Sequence, residues 1–166
     1  MSDQNRKASH HKELSGGKDK KNIWDIYAPV YAAFMNGNRK AYRMMYHRIR
    51  KVIKGKHVLE LAAGPGLIAK HVADAAEFMI ATDASKKMIE QAKKGKNPRN
   101  LTYLQADAAH LNFAENSFDV VICSQSFHHY PDPQSFFKSV YKVLRPNGRL
   151  ILRDMTASAP LRSGIT

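Results

Sequence analysis

Three carboxylates and one glycine turn carry most of the chemistry in this sequence. Glu60 interrupts an apolar run, Val58-Leu59-Glu60-Leu61, immediately before Ala62-Ala63-Gly64-Pro65-Gly66. A buried carboxylate requires a partner; a ligand's donors or ammonium group would serve, as would the turn's own N–H groups. Gly64 and Gly66 remove side chains where the backbone turns sharply and a ligand approaches. N–H groups at the start of the following helix favour an anion. Asp83 ends the next apolar run, 23 residues after Glu60, near the spacing at which an acid in a dinucleotide fold reaches ribose hydroxyls. Its two acceptor oxygens match a vicinal diol. Asp107 follows Leu104-Gln105-Ala106 at a third strand end. Three acids at successive strand ends suit one ligand with an amine, a diol and an exocyclic adenine amino group. Taken singly, each acid reads as a helix cap or turn residue. Asp83 can cap the helix that contains Met88, and Glu60 can simply hold the turn together. Their joint placement favours the ligand.

A second group of polar residues follows a fourth apolar run. Ser124-Gln125-Ser126-Phe127-His128-His129-Tyr130 leaves it towards the same end of the sheet. His128 and His129 can act as base, donor or simple wall, and loop packing accounts for them equally. No third ligand stands at a convincing spacing, so no metal is expected. Cys123, the single cysteine, lies in an apolar strand and reads as inert core. An intramolecular disulfide is impossible, and a cytoplasmic address is the default expectation. Tyr42, Tyr46 and the Met44-Met45 pair can line an apolar pocket, but helical core packing is the favoured reading.

The elements that must position these groups can be read from periodicity. Tyr42, Met45, Tyr46, Ile49 and Val52 recur at helical spacing, with basic residues on the other faces. Strands are expected at His57–Leu61, Phe78–Thr82, Leu101–Leu104, Phe118–Ser124 and Arg149–Arg153. Helices are expected over Leu67–Ala75, through Met88 and Ala92, and over Ser135–Leu144, with Pro146-Asn147-Gly148 as a turn. The continuous run Val120-Val121-Ile122-Cys123 marks a strand covered on both faces. Strands separated by helices predict an α/β fold, a Rossmann-like doubly wound and mostly parallel sheet.

Composition sets outer limits. The 166 residues suit one domain, and 43% hydrophobic with 25% charged residues is ordinary for a globular protein. No run approaches the roughly 20 apolar residues of a membrane span. The net charge of +13 is uneven: residues 1–56 carry 14 Lys/Arg against 4 Asp/Glu, and residues 57–166 carry 13 against 10. Residues 1–21 read as a disordered basic tail, residues 22–56 as an N-terminal helical cover, and residues 57–166 as the ligand-binding domain. The basic block can attract RNA, although a solvated tail is the favoured account.

The segments Val58–Gly66, Ala81-Thr82-Asp83-Ala84-Ser85, Asn116–Val121 and Val143–Gly148 together resemble the class I methyltransferases that use S-adenosylmethionine, in particular the type 11 group. The resemblance runs from His57 to Asp154. It implies that Glu60 and the turn from Ala62 through Gly64 to Gly66 serve the methionyl end of S-adenosylmethionine, with S-adenosylhomocysteine as product. It implies that Asp83 binds the ribose, that Ala84 and Met88 flank the adenine, and that Asp107 and Ala108 face its edge. Ser124 would complete the cofactor site, with Tyr27 and Tyr31 closing over it. A small-molecule acceptor is expected. Two departures accompany the resemblance. Ala62 stands where the family usually has a glycine, which is tolerable only at negative φ. After the fifth strand only Met155–Thr166 remain, where the family adds a helix and a strand pair. The expectation is an open sheet edge that favours a homodimer, with turnover reduced or absent. The competing reading is an NAD(P)-dependent oxidoreductase, because Gly64-Pro65-Gly66-Leu67-Ile68-Ala69 matches its fingerprint.

Overall fold

Hydrophobic periodicity translates into alternating strands and helices along the chain. The computed structural model describes residues 39–154. Helix α1 (Arg39–Ile53) precedes β1 (His57–Leu61), α2 (Leu67–Val72) and a 3-10 turn at Ala73–Ala75. Then come β2 (Phe78–Asp83), α3 (Lys86–Lys93), β3 (Leu101–Gln105), β4 (Phe118–Ser124), α4 (Pro133–Val143) and β5 (Leu144–Arg153). The strands form one sheet in the order β3-β2-β1-β4-β5, and every described pair is parallel. The chain order reverses between β1 and β4. Ligands bind at such switch points, outside the carboxyl ends of the strands.

Each face of the sheet buries its own core. Val58, Met79, Val120 and Ile122 pack with Ile49 and Ile53 of α1 and with α2 and α3. Leu59, Leu61, Val121 and Cys123 face the other way, against Phe136, Val140 and Val143 of α4. This alternation explains why β4 reads as an unbroken apolar run: both of its faces are covered. Asp132 caps α4 by accepting from the Gln134 and Ser135 N–H groups, with Pro133 in the first turn.

The expected turn at Pro146-Asn147-Gly148 lies inside β5. Leu144 pairs with Phe118 and Arg149 with Val120, so the ladder slips between them. Asn147 takes φ +64 there. A Cβ on Gly148 would stand 2.8 Å from the Arg145 carbonyl oxygen. The turn residues were legible; their role as a bulge within a strand was not.

That bulge anchors a clamp at the amino end of the sheet. Arg145 Nη1 donates to both Asp119 carboxylate oxygens at 3.0 Å. Asp119 also accepts from the His57 backbone N–H at 2.9 Å. Arg145 Nη2 donates to His57 Nδ1 at 2.9 Å, and Nε donates to the Asn116 carbonyl. Two of the four segments that carry the resemblance therefore hold each other, at the end of the sheet remote from the glycine turn.

Candidate functional site

The site begins with the carboxyl end of β1, which the neighbouring strand laces into place. Thr82 Oγ1 donates to the Glu60 carbonyl at 2.9 Å, and Ala63 N–H donates to the Thr82 carbonyl at 2.8 Å. Gly64 N–H donates to Asp83 Oδ2 at 2.9 Å. Gly64 has φ +54, and a Cβ there would meet nothing within 4 Å. Its outer side is thus open to an approaching ligand. Gly66 has φ +76 and is closed from below, since a Cβ would fall 2.5 Å from the Tyr103 hydroxyl oxygen. One glycine gives access and the other makes room for Tyr103.

Ala62 has φ +51, which overturns the expectation of negative φ. The path from β1 into the turn requires a left-handed residue there, and the alanine accepts the strain.

Glu60 is 2% exposed, and its Oε2 has no hydrogen-bond partner. Burial pushes its carboxyl up to about 8; the Ala69 backbone N–H opposes this rise and the Asp83 charge adds to it. A buried acid with one oxygen unanswered is costly unless a donor reaches it.

Asp83 is not the helix cap. Ser85 caps α3 by accepting from Met88 N–H. Asp83 instead divides its oxygens between Gly64 N–H and Ser85 N–H, the latter at 2.8 Å. Each oxygen retains a lone pair for a further donor. Ala84 is exposed and Met88 half-buried beside it. Asp107 is exposed and accepts from Ala109 N–H, while its Oδ2 contacts His110 Nδ1 at 2.8 Å. That His110 bond, with the Ala109 N–H, holds its carboxyl below the ordinary range. Ala108 is buried in the core. Tyr27 and Tyr31 lie outside the described residues.

Across the switch point, β4 delivers Ser124 and the histidines. His128 Nδ1 lies 2.8 Å from Asp154 Oδ1, and its backbone N–H donates to Asp154 Oδ2 at 2.8 Å. The same carboxylate thus fixes both the loop and the ring. The His129 ring leans on that of His128 at 3.9 Å. Asp154 was not among the sequence candidates, because 26 residues separate it from His128. Tyr103 was also missed, and Tyr130 was named only as part of the loop after β4. Burial, aided by the Glu60 charge, raises the Tyr103 phenol to about 12. Burial likewise holds the Tyr130 phenol well above its usual value. Cys123 is buried against Ser126 at 3.2 Å and its thiol is pushed up by that burial, as expected of an inert core position.

Ser124 opens into a groove of about 410 Å³ between α1 and the ends of β4 and β5. Met44 and Met45 line it, whereas Tyr42 is buried. The helix's apolar residues therefore divide between pocket and core.

Residues 59–152, more than half of the chain, match the family model described as a methyltransferase domain. The chain belongs to that family. This methyltransferase domain is 30% identical over 110 residues to a ubiquinone biosynthesis O-methyltransferase of Coxiella burnetii, covering 65% of this chain and 47% of the relative. It is 30% identical over 157 residues to a demethylmenaquinone methyltransferase of Lactobacillus johnsonii, covering 87% and 64%. Among solved structures, YcgJ from Bacillus subtilis aligns with TM-score 0.60 at 29% identity, covering 66% of this chain and 50% of that one. An S-adenosylmethionine-dependent methyltransferase from Mesorhizobium loti aligns with TM-score 0.57 at 25% identity, covering 61% and 47%. The fold is the Rossmann-like fold of class I methyltransferases. The chain spans about half the length of several of these relatives. Among the described residues, no helix is long and apolar enough to cross a membrane.

Proposed function

We propose that this chain binds S-adenosylmethionine at the carboxyl ends of β1, β2 and β3 and transfers its methyl group to a small-molecule acceptor. The observation that carries this reading is Glu60: a buried acid with an unpartnered oxygen, two residues before a turn whose Gly64 is open. An ammonium group is the donor such an acid lacks. Asp83 has lone pairs to spare for ribose hydroxyls while it keeps Gly64 and Ser85 in place. When bound, the cofactor supplies a methyl group already activated as a sulfonium, so the protein's task is alignment and exclusion of water.

In this reading His128 handles the acceptor's proton. With its proton on Nδ1, facing Asp154, Nε2 presents a lone pair and can accept a proton from a hydroxyl acceptor. Asp154 acts as the positioning residue, and His129 packs against the ring. The relatives named for quinone methylation support a small molecule as acceptor. The division into a tail at 1–21, a helical segment at 22–56 and a cofactor domain at 57–166 belongs to this reading. So do a cytoplasmic setting and a dimer paired along β5, an edge strand among the described residues.

S-adenosylhomocysteine should raise the melting temperature by mass action, and NAD should not. Asp83→Ala should weaken S-adenosylhomocysteine by about 1–3 kcal/mol, because bonds to a charged acceptor are lost. Equal stabilisation by NAD would favour the oxidoreductase reading instead.

A further inference from the structure

The groove beside Ser124 combines an apolar wall with cations that, among the described residues, lack carboxylate partners. Met44, Met45 and Ile49 of α1 face Ile122 and Ile151 of the sheet across it. Its volume of about 410 Å³ falls within the range of small-molecule sites. Met44 is 51% exposed at this surface, and methionine adapts readily to ligands of varied shape.

Arg48 and Arg153 also line the groove. Arg153 Nη1 lies 3.3 Å from Met45 Sδ, a weak acceptor, and the guanidinium stands 5.8 Å from the Tyr42 ring centroid. Among the described residues neither arginine is paired with a carboxylate, whereas Arg50 holds Asp74 and Arg145 holds Asp119. A guanidinium fork matches a carboxylate or phosphate. The helix that supplies Arg48 contains six Lys/Arg and no acid, so its field also draws anions.

Register ties the groove to the cofactor site. Ile122 pairs with Glu60 on the neighbouring strand, and paired residues of parallel strands share a face. The groove floor is therefore one strand spacing, about 4.8 Å, from the strand that carries Glu60. Ser124 pairs with Arg153 at the outer end of the same groove.

We infer that this groove binds a small amphipathic acceptor, with an apolar body against Met44, Met45 and Ile122 and an anionic group held by Arg48 and Arg153. The inference rests on the methyltransferase reading for the word acceptor; the binding site itself does not.

The test is calorimetry on the full chain, saturated with S-adenosylhomocysteine, using decanoate, decyl phosphate and decan-1-ol as probes. The anions should bind about tenfold more tightly than the alcohol, the equivalent of one charge-assisted contact. Comparison of decanoate with decyl phosphate identifies the preferred anion. Arg48→Gln and Arg153→Gln should each remove most of that preference, while Arg43→Gln, an equal charge change outside the groove, should not. Affinity for S-adenosylhomocysteine should stay unchanged in all three variants. Equal binding of alcohol and anions, or an equal loss in Arg43→Gln, would overturn the inference. A dimer dispersed by Met44→Lys without any change in probe affinity would show a second copy in the groove, and would overturn it too. Retained anion preference without S-adenosylhomocysteine binding would refute the methyltransferase reading and leave the binding site standing.

Discussion

Glu60 illustrates how one residue couples stability, pH and ligand. Its native carboxyl is raised to about 8, so the folded protein keeps a proton that the unfolded chain has lost. The native state binds more protons between the ordinary carboxylate value and about 8, and stability falls as pH rises through that window. Glu60→Gln should abolish this slope, leaving the variant more stable than the parent at pH 8 in urea unfolding. It should also weaken the cofactor, because a neutral amide answers an ammonium group poorly. Cofactor binding at pH 7 should release up to about one proton, read as a buffer-dependent enthalpy in calorimetry. A parallel pH profile for parent and variant would mean that Glu60 is ionised and paired in the native protein. Ala62 makes a complementary case, since φ +51 suits glycine. An L-residue there costs about 1–2 kcal/mol, partly offset by the greater entropy that glycine loses on folding. Ala62→Gly should therefore stabilise the protein by about 0.5–1 kcal/mol in urea titration. A loss of stability would show that contacts of the Ala62 methyl outweigh the strain.

At the scale of elements, legibility followed the range of the interaction. Strand β4 was readable because burial on both faces leaves a local signature, Val120-Val121-Ile122-Cys123. Glu60, Gly64, Gly66 and Asp83 were readable because their types are anomalous at strand ends. Asp154 was not, since its pairing with His128 depends on how β5 closes beside β4. Tyr103 looked like a strand residue, and its role beneath Gly66 emerges only when β3 joins the sheet. The start of β5 was lost to turn chemistry that a bulge shares. The role of that bulge shows in its contacts: Asp119, Arg145 and His57 tie three strands at the end remote from the glycine turn. Arg145→Met should destabilise the fold by about 1–2 kcal/mol, a modest loss because Arg145 and Asp119 are partly exposed and screened. Affinity for S-adenosylhomocysteine, measured on folded protein, should remain unchanged. A large loss of affinity would show that this end of the sheet communicates with the glycine turn.

For the molecule as a whole, the question is where its excess positive charge resides. Residues 1–21 contain 6 Lys/Arg and 3 Asp/Glu, a net of +3. Helix α1 alone has six Lys/Arg and no acid. The basicity of the N-terminal block is therefore more concentrated on α1 than on residues 1–21. Lys40, Arg43 and Lys51 are exposed, and at 100° per residue they share one face of α1. Fixed charges on one helix face act together on a polyanion. Lys40→Gln, Arg43→Gln and Lys51→Gln combined remove the same net charge as deletion of residues 1–21. The triple variant should elute from heparin at the lower salt concentration of the two, and both should keep the melting temperature close to that of the parent. Earlier elution of the deletion would assign polyanion binding to the tail. It would also weaken the case that the field of α1 guides anions towards the groove between Arg48 and Arg153.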